Sequence, residues 1–424
     1  MKILNPSSIA VIGASNNRDK VGFSLIENLK KFNGKVFPIN LDETEILGFK
    51  CYKNVKEIKE NIDLAIIAIP AKNVAKVLEE CGKKKIKDVI IISAGFSEIG
   101  NKKDEDKLLN IAKKYKIRIL GPNCFGVVNP YLNLDTTFAK STPYKGSVAF
   151  ISQSGAIWSG IADYSLKENF GFSGFVSLGN MADLEFSDFI EYFNDDVNTK
   201  VIVLYIETLK NGKKFMESCK NSNKRIIAVK SGISEKGKEA TLSHTGSLAG
   251  EYEIYKAAFK QSNVILANDI TNAFDLAKFY INQDIKGKRV VIISNAGGPA
   301  SLATDYCSEK NLDLVDLPKV KFDFLWNKRN PIDLIGDAKS DKFKKIFDFL
   351  KDKNFYDSVL VIVTPQKMTD VKEIAKEILR FKNESRKTVV TCFMGYDAIQ
   401  EAKEILEENN IPCFFEIKRA VDLL

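Results

Sequence analysis

The sequence predicts an α/β protein built of three doubly wound units: a Rossmann-like domain over residues 1–130, then two related flavodoxin-like domains over 131–285 and 286–424. Three observations carry this. Continuous apolar runs of strand length alternate with amphipathic helical stretches, the pattern of parallel sheets covered on both faces. Small-residue turns follow several of these runs where a helix should open. A segment in the middle third also recurs in the last third at a constant offset of 142 residues, with Ser152 matching Ser294 and Asp163 matching Asp305.

The first domain takes its strands from Ser8–Gly13, Gly34–Asn40, Leu64–Pro70, Asp88–Ser93 and Arg118–Gly121. Its first turn, Gly13-Ala14-Ser15 onward to Lys20-Val21-Gly22, opens a helix whose free N–H groups and dipole suit an anion such as phosphate. Only one glycine opens it. Asn40 also stands after the second strand, where a nicotinamide-binding fold usually carries an acidic residue, although Asp42 follows. The sequence therefore speaks for a different nucleotide-bearing ligand.

A Pro/Thr/Asn-rich connector at 129–145 leads into the repeat. In each copy a strand, Val148–Ser152 or Val290–Ser294, runs into a small-residue turn, Gln153-Ser154-Gly155-Ala156 or Asn295-Ala296-Gly297-Gly298, and then a helix. Each later shows Asn followed by Asp three residues on, at Asn180 and Asp183 and at Asn330 and Asp333, and each has a further apolar strand, Lys200–Glu207 or Val359–Pro365. A second connector is expected at 283–288. The stretch from Ser231 to Ser243, with Gly232, Gly237 and many charges, reads as a mobile loop.

Composition narrows the function classes. Hydrophobic residues at 45% and charged residues at 28% describe an ordinary globular protein. No apolar run approaches the roughly 18 residues of a membrane span and the N-terminus has no secretory pattern, so a cytoplasmic protein without a membrane role is expected. The seven cysteines, at 51, 81, 124, 219, 307, 392 and 413, have no C-x-x-C spacing, and there is one histidine, so neither a disulfide framework nor a metal site is expected. The net charge of +8 is spread over Lys-rich helix faces such as 83–87 without interleaved aromatics, which speaks for solvated faces and against nucleic acid.

The one histidine, His244, lies among small and polar residues from Thr241 to Gly250, a run read as a loop leading into a helix. A neutral imidazole attacks electrophiles and a protonated one donates a proton, since its reference pKa is about 6.5. A solvated histidine without a task is the plain alternative.

Ten motifs in order then carry a resemblance that spans essentially the whole chain: G-A-S with K-V-G at 13–22, I-P-A at 69–71, S-A-G-F at 93–96, G-P-N-C at 121–124, I-S-Q-S-G-A at 151–156, S-L-G-N at 177–180, Y-I-E at 205–207, S-H-T-G at 243–246, S-N-A-G-G-P at 294–299 and N-P-I-D at 330–333. The chain resembles the α subunit of the nucleoside-diphosphate-forming acyl-CoA synthetases, most closely the ADP-forming acetate–CoA ligases, distant relatives of succinyl-CoA synthetase. The resemblance implies that the first domain binds coenzyme A, through Gly13, Ser15, Lys20, Asn40, Ile69, Pro70, Ala94, Gly95, Phe96 and Asn123. It implies that His244 is transiently phosphorylated and oriented by Glu207. Gln153, Ser154, Gly155, Asn180, Thr245, Gly246, Ala296, Gly297 and Gly298 would hold phosphate, partly through two helix N-termini.

The implied reaction converts acyl-CoA, ADP and phosphate into a carboxylic acid, ATP and CoA, through an acyl phosphate and phosphohistidine. No nucleotide-grasping domain is found, so Mg-ADP or Mg-ATP would bind a β subunit, in an α2β2 assembly acting on a small carboxylic acid. Two other readings stay open. One is a CoA-sensing or scaffolding protein without turnover. The other is a hydrolase in which Ser154, then Asp183 or Glu207, then His244 reproduce the α/β-hydrolase chain order; Ser152 and Ala156 replace the flanking glycines of its elbow, and the second copy has Ala296 at the serine position.

Overall fold

The computed structural model describes residues 1–245 and 250–424, with side chains throughout except at 242–245. Contacts divide the chain into two compact units, Met1–Asp269 and Ile270–Leu424.

The first unit opens with β1 (Ser8–Ile12), α1 (Val21–Asn28), β2 (Lys35–Ile39), a small antiparallel hairpin of β3 (Glu45–Ile46) and β4 (Phe49–Lys50), β5 (Leu64–Ile67), α2 (Ala71–Lys83), β6 (Asp88–Ile91), α3 (Lys102–Tyr115) and β7 (Arg118–Leu120). The sheet runs β2-β1-β5-β6-β7, all parallel. Every residue of β1, β5 and β6 is buried, as continuous apolar runs require when helices cover both faces. Helix α2 shows the complementary pattern. Val74, Leu78 and Cys81 recur at helical spacing and are buried, so cutting Leu78 to Ala would cost about 2–5 kcal/mol.

A second sheet in the same unit contains β8 (Val127–Asn129), β9 (Leu134–Asp135), β10 (Lys145–Ser152), α4 (Gly155–Lys167), β11 (Phe172–Ser177), α5 (Phe186–Asp195), β12 (Val201–Ile206), α6 (Gly212–Asn221), β13 (Arg225–Lys230), α7 (Glu235–Thr245), α8 (Tyr252–Gln261) and β14 (Val264–Leu266). Its order is β14-β13-β12-β10-β11-β8-β9. The Trp158 ring of α4 stacks on Phe175 at 4.1 Å between centroids, which seats the helix on the sheet.

The second unit holds α9 (Ile270–Tyr280), β15 (Arg289–Ser294), α10 (Gly297–Glu309), β16 (Asp313–Leu314), β17 (Ile332–Asp333), α11 (Ser340–Leu350), β18 (Ser358–Val363), α12 (Val371–Ser385), β19 (Thr388–Phe393), α13 (Gln400–Glu408), β20 (Cys413–Phe414) and α14 (Ile417–Val421). Its order is β16-β15-β18-β19-β20, with β17 also on β15. All three parallel cores thus share one order, second-first-third-fourth-fifth. In this order the connections diverge beyond the carboxyl ends of the first and third strands, where doubly wound folds generally bind ligands.

Several details differ from the sequence reading. The connector at 129–145 overlaps β8 and β9, which add an antiparallel edge to the second sheet through β8 on β11; strands this short have too few residues to show alternation. The stretch from Ser231 to Ser243 is largely helix, because Ser234 Oγ caps the Gly237 N–H at 3.1 Å and strong helix formers follow. The run read as a loop around His244 is accordingly helical in backbone as far as Thr245. The division between units comes after Asp269, ahead of the expected connector. Helix α9 bonds into the second unit through Asp275 to Arg419 at 2.8 Å and Lys278 to Glu407 at 3.0 Å.

The repeated Asn-x-x-Asp is not equivalent in the two copies. The Leu178 N–H donates to Ser152 O and the Leu334 N–H to Ser294 O, so Asn180 corresponds to Gly336 and not to Asn330. The second strand of the second copy is also split, β16 pairing with the start of β15 and β17 with its end. Among the described residues no helix is long and apolar enough to cross a membrane, and all seven cysteines are buried and free.

Candidate functional site

The site forms where turns from the two sheets of the first unit meet. Gly13 follows β1 with φ +94°, and a Cβ there would lie 2.3 Å from Ala68 O. Gly22, in the first turn of α1, approaches the same turn so closely that a Cβ would meet Gly13 O at 1.9 Å. Both positions require glycine, which leaves backbone rather than side chain at the crevice floor. No side chain caps α1, so its first-turn N–H groups keep their capacity for an anion. The next wall is Ile69 and Pro70, the latter preceding α2, tied to the end of β6 by Ser93 Oγ donating to Ile69 O at 2.5 Å.

A cleft of about 560 Å³ opens here. From the first sheet it is lined by Gly13, Lys20, Ile69, Pro70 and Ala94, and at the junction by Asn123. From the second sheet it is lined by Gln153, Ser154, Gly155 and Asn180. Six of the residues assigned to coenzyme A and four of those assigned to phosphate therefore share one cavity. The remaining assigned residues of the first domain are not in its lining. Ser15 is buried and accepts the Asn17 N–H at 3.1 Å. Asn40 donates to Ala14 O at 2.7 Å and accepts the Asp42 N–H at 2.8 Å, holding the turns after the first two strands together. The Phe96 ring lies in the core, and the N–H groups of Gly95 and Phe96 donate to Glu98.

Phe125, Phe138 and Glu98 carry no sequence signal. Phe125 and Phe138 contact each other at 3.8 Å between ring centroids and form an aromatic wall. A Cβ at Gly155 would strike Phe125 Cβ at 2.4 Å, so the start of α4 reaches the cleft only as glycine. Asn180 donates to Glu98 Oε2 at 2.6 Å and Glu105 Oε2 at 2.9 Å and accepts from Asn123 at 3.2 Å, binding the second sheet's loop to the first domain. Burial would raise the Glu98 carboxyl, but the hydrogen bonds from Asn180, Gly95 and Phe96 outweigh it and hold it below the usual range.

Behind the cleft, Gln153 Oε1 accepts the Glu207 N–H at 2.6 Å and the Thr208 N–H at 2.8 Å, while its Nε2 donates to Thr208 Oγ1 at 3.2 Å. Glu207 O accepts from Lys230 Nζ at 2.9 Å. Gln153, Glu207, Thr208 and Lys230 are all buried. Burial pushes the Lys230 ammonium down to about 8, with the Glu207 charge acting in the opposite sense. His244 and Thr245 lie on α7, but their side chains are outside the described residues, as is all of Gly246; the assigned pairing of Glu207 with His244 falls there too.

In the second unit, Ala296 is the N-cap of α10 and Gly297 and Gly298 form its first turn. Ser294 Oγ donates to Ala296 O at 2.9 Å, as Ser152 Oγ donates to Ser154 O at 2.7 Å, so the repeated turn is held by the same bond in both copies. Asp183 is engaged by Arg118 at 3.0 Å and by the Ile119 N–H at 2.8 Å, which removes it as the acid of a Ser154 triad.

Residues 7–130 match the family model described as a CoA binding domain, and residues 145–280 the one described as a succinyl-CoA ligase like flavodoxin domain. The chain is 46% identical to an acetate–CoA ligase [ADP-forming] of Methanocaldococcus jannaschii, over 99% of this chain and 61% of that protein, so it spans about three fifths of that relative. It is 44% identical to the acetate–CoA ligase [ADP-forming] II subunit alpha of Pyrococcus furiosus, over 97% of this chain and 93% of that one. Among solved structures it matches a dinucleotide forming acetyl-coenzyme A synthetase 1 of Ca. Korarchaeum cryptofilum in complex with phosphate and ADP. That match has a TM-score of 0.91 at 34% identity and covers 100% of this chain and 94% of the other.

Proposed function

The chain belongs to the family of ADP-forming acyl-CoA ligases, and from that premise we propose that it is the α-type part of such an enzyme, interconverting acyl-CoA, ADP and phosphate with a carboxylic acid, ATP and CoA. Residues 1–130 bind the CoA moiety, 131–285 carry the phosphohistidine, and 286–424 supply the second copy of the ligase fold. A phosphate oxygen attacks the thioester carbonyl, the C–S bond breaks, and CoA leaves as the thiol, giving an acyl phosphate. A ring nitrogen of His244 then attacks phosphorus and the carboxylate leaves. Phosphohistidine finally donates to ADP, which binds a β-type partner with its magnesium. The proposed assembly is α2β2 in the cytoplasm.

The observation that carries this reading is the single cleft shared by the first-domain turns at Gly13 and Ile69-Pro70 and the second-sheet turn at Gln153-Ser154-Gly155. It allows a thioester held by the first domain to meet a phosphate at the start of α4, where the helix dipole and free N–H groups favour negative charge. A buried Glu207, fixed by Gln153, suits a carboxylate that accepts one imidazole N–H so that the other ring nitrogen stays nucleophilic.

The test is intact-mass spectrometry at neutral to alkaline pH, after incubation with acetyl-CoA and phosphate or with the β partner and Mg-ATP. An acid-labile, phosphate-sized adduct absent from His244→Ala, with CoA binding retained in the variant, is the expected result. No adduct under either condition, with CoA still bound, would replace this reading by a CoA-sensing one. An acyl-sized adduct on Ser154 would favour the hydrolase.

A further inference from the structure

We propose that Lys230 is a positioning residue of the phosphoryl-transfer site, using its ammonium to fix the peptide of Glu207 from the strand opposite Gln153; the inference rests on the phosphohistidine reading above. Lys230 is the last residue of β13 and pairs with Ile206, the last of β12. Its Nζ donates to Glu207 O at 2.9 Å and to Ser231 O, and stands 4.6 Å from the centroid of Tyr255. The Tyr255 hydroxyl in turn accepts the Leu209 N–H at 3.1 Å, two residues beyond Glu207. With Gln153 Oε1 on the Glu207 N–H, side chains from both flanking strands hold both polar groups of this residue's backbone.

The fold does not demand this lysine. In the second copy Val363 pairs with Phe393 as Ile206 pairs with Lys230, so Phe393 occupies the ladder position of Lys230 and Thr364 that of Glu207. The amide clamp persists there, since Asn295 Oδ1 accepts the Thr364 N–H at 2.9 Å as Gln153 does for Glu207. What the copy bearing His244 adds is the pair of buried charges. Burying a lysine costs free energy that an apolar side chain at the same position does not, as the fully buried Phe393 illustrates. The bonds of the ammonium to Glu207 O and Ser231 O offset part of that cost, and they place a positive charge near Glu207, where the phosphoryl group would arrive at the imidazole. Geometric tolerance for such a transfer is narrow, and a displacement of about 1 Å costs on the order of 10²-fold in rate.

The experiment uses the full chain with its β partner and Mg-ATP, quenched in time and followed by intact mass. Lys230→Met is expected to form the phosphate adduct about 10²-fold more slowly, with CoA affinity unchanged, while Lys230→Arg recovers most of the rate because its charge persists. Met at the wild-type rate, or Arg no better than Met, overturns the proposal. Should Lys230→Met not fold, the pH dependence of Lys230→Arg decides. The titratable groups beside Lys230 among the described residues are Glu207, which follows β12, and Tyr255 from α8, whose hydroxyl burial raises. The wild-type rate should fall above pH about 8 as Lys230 loses its proton, and the arginine variant should stay flat there. A fall shared by both overturns the assignment. A wild-type chain that forms no adduct at all overturns instead the reading on which it rests.

Discussion

The two copies of the ligase fold share a strand order, a turn and the bond that closes that turn, yet differ at the positions where chemistry would occur. The first presents Gln153, Glu207 and Lys230 at the ends of its three central strands, and the second presents Asn295, Thr364 and Phe393. The conserved member of each set is the amide, which ties a strand end to its neighbour. The divergent members are the charged ones. Backbone geometry at these strand ends is therefore maintained while the side chains beside the amide differ in charge.

That contrast can be broken by experiment. The largest effect is expected from Glu207→Gln, which should slow phosphohistidine formation by about 10²–10⁴-fold without altering CoA affinity. Thr364→Val, its counterpart, should leave the rate at the wild-type value, and quench-flow mass spectrometry of both would expose any role for the second copy. Next comes Phe393→Ala. It should lower the unfolding free energy of the second unit by about 3–5 kcal/mol in denaturant titrations, because the ring is fully buried.

The turns sharpen the comparison further. Gly13→Ala places a Cβ 2.3 Å from Ala68 O at φ +94°, so a destabilisation of about 1–3 kcal/mol and weakened CoA binding by calorimetry are expected. Gly298→Ala has nothing within 4 Å of its Cβ and no positive φ, so it should raise stability by about 0.4–1 kcal/mol. A destabilised Gly298→Ala in denaturant titrations would refute this reading of the turn.

Much of this architecture was legible in the sequence because parallel strands covered on both faces read as unbroken apolar runs, and each run ends in a turn whose residues are restricted sterically. Gly13 and Gln153-Ser154-Gly155 could be singled out because they follow such runs, where the crevice of a doubly wound sheet lies, whereas Ile69 and Pro70 stood out only through the family resemblance. What the sequence did not show depends on side chains meeting across long separations. Phe125 against Phe138, Glu98 under Gly95 and Phe96, and Lys230 beneath Glu207 have no periodic or motif signature. The helix from Glu235 was hidden by Gly237, whose helix penalty is about 1 kcal/mol and is outweighed by the Ser234 cap and the residues that follow. The repeated Asn-x-x-Asp misled because a two-letter match ignores register, and the bonds of Leu178 and Leu334 set the true alignment.

The seven buried thiols give the molecule an internal reporter of its own breathing. Burial raises the thiols of Cys81, Cys124, Cys219 and Cys413 to about 12, so at neutral pH each is both shielded and un-ionised, and an alkylating reagent reaches it only when the surrounding structure opens. Cys51, Cys81 and Cys124 precede the second sheet, Cys219 belongs to it, and Cys307, Cys392 and Cys413 lie in the second unit. Site-resolved alkylation rates would thus read the opening free energy of each region separately, in the unaltered protein. Cys124, in the wall of the cleft, would register the ligand as a protection that the cysteines of the second unit do not share.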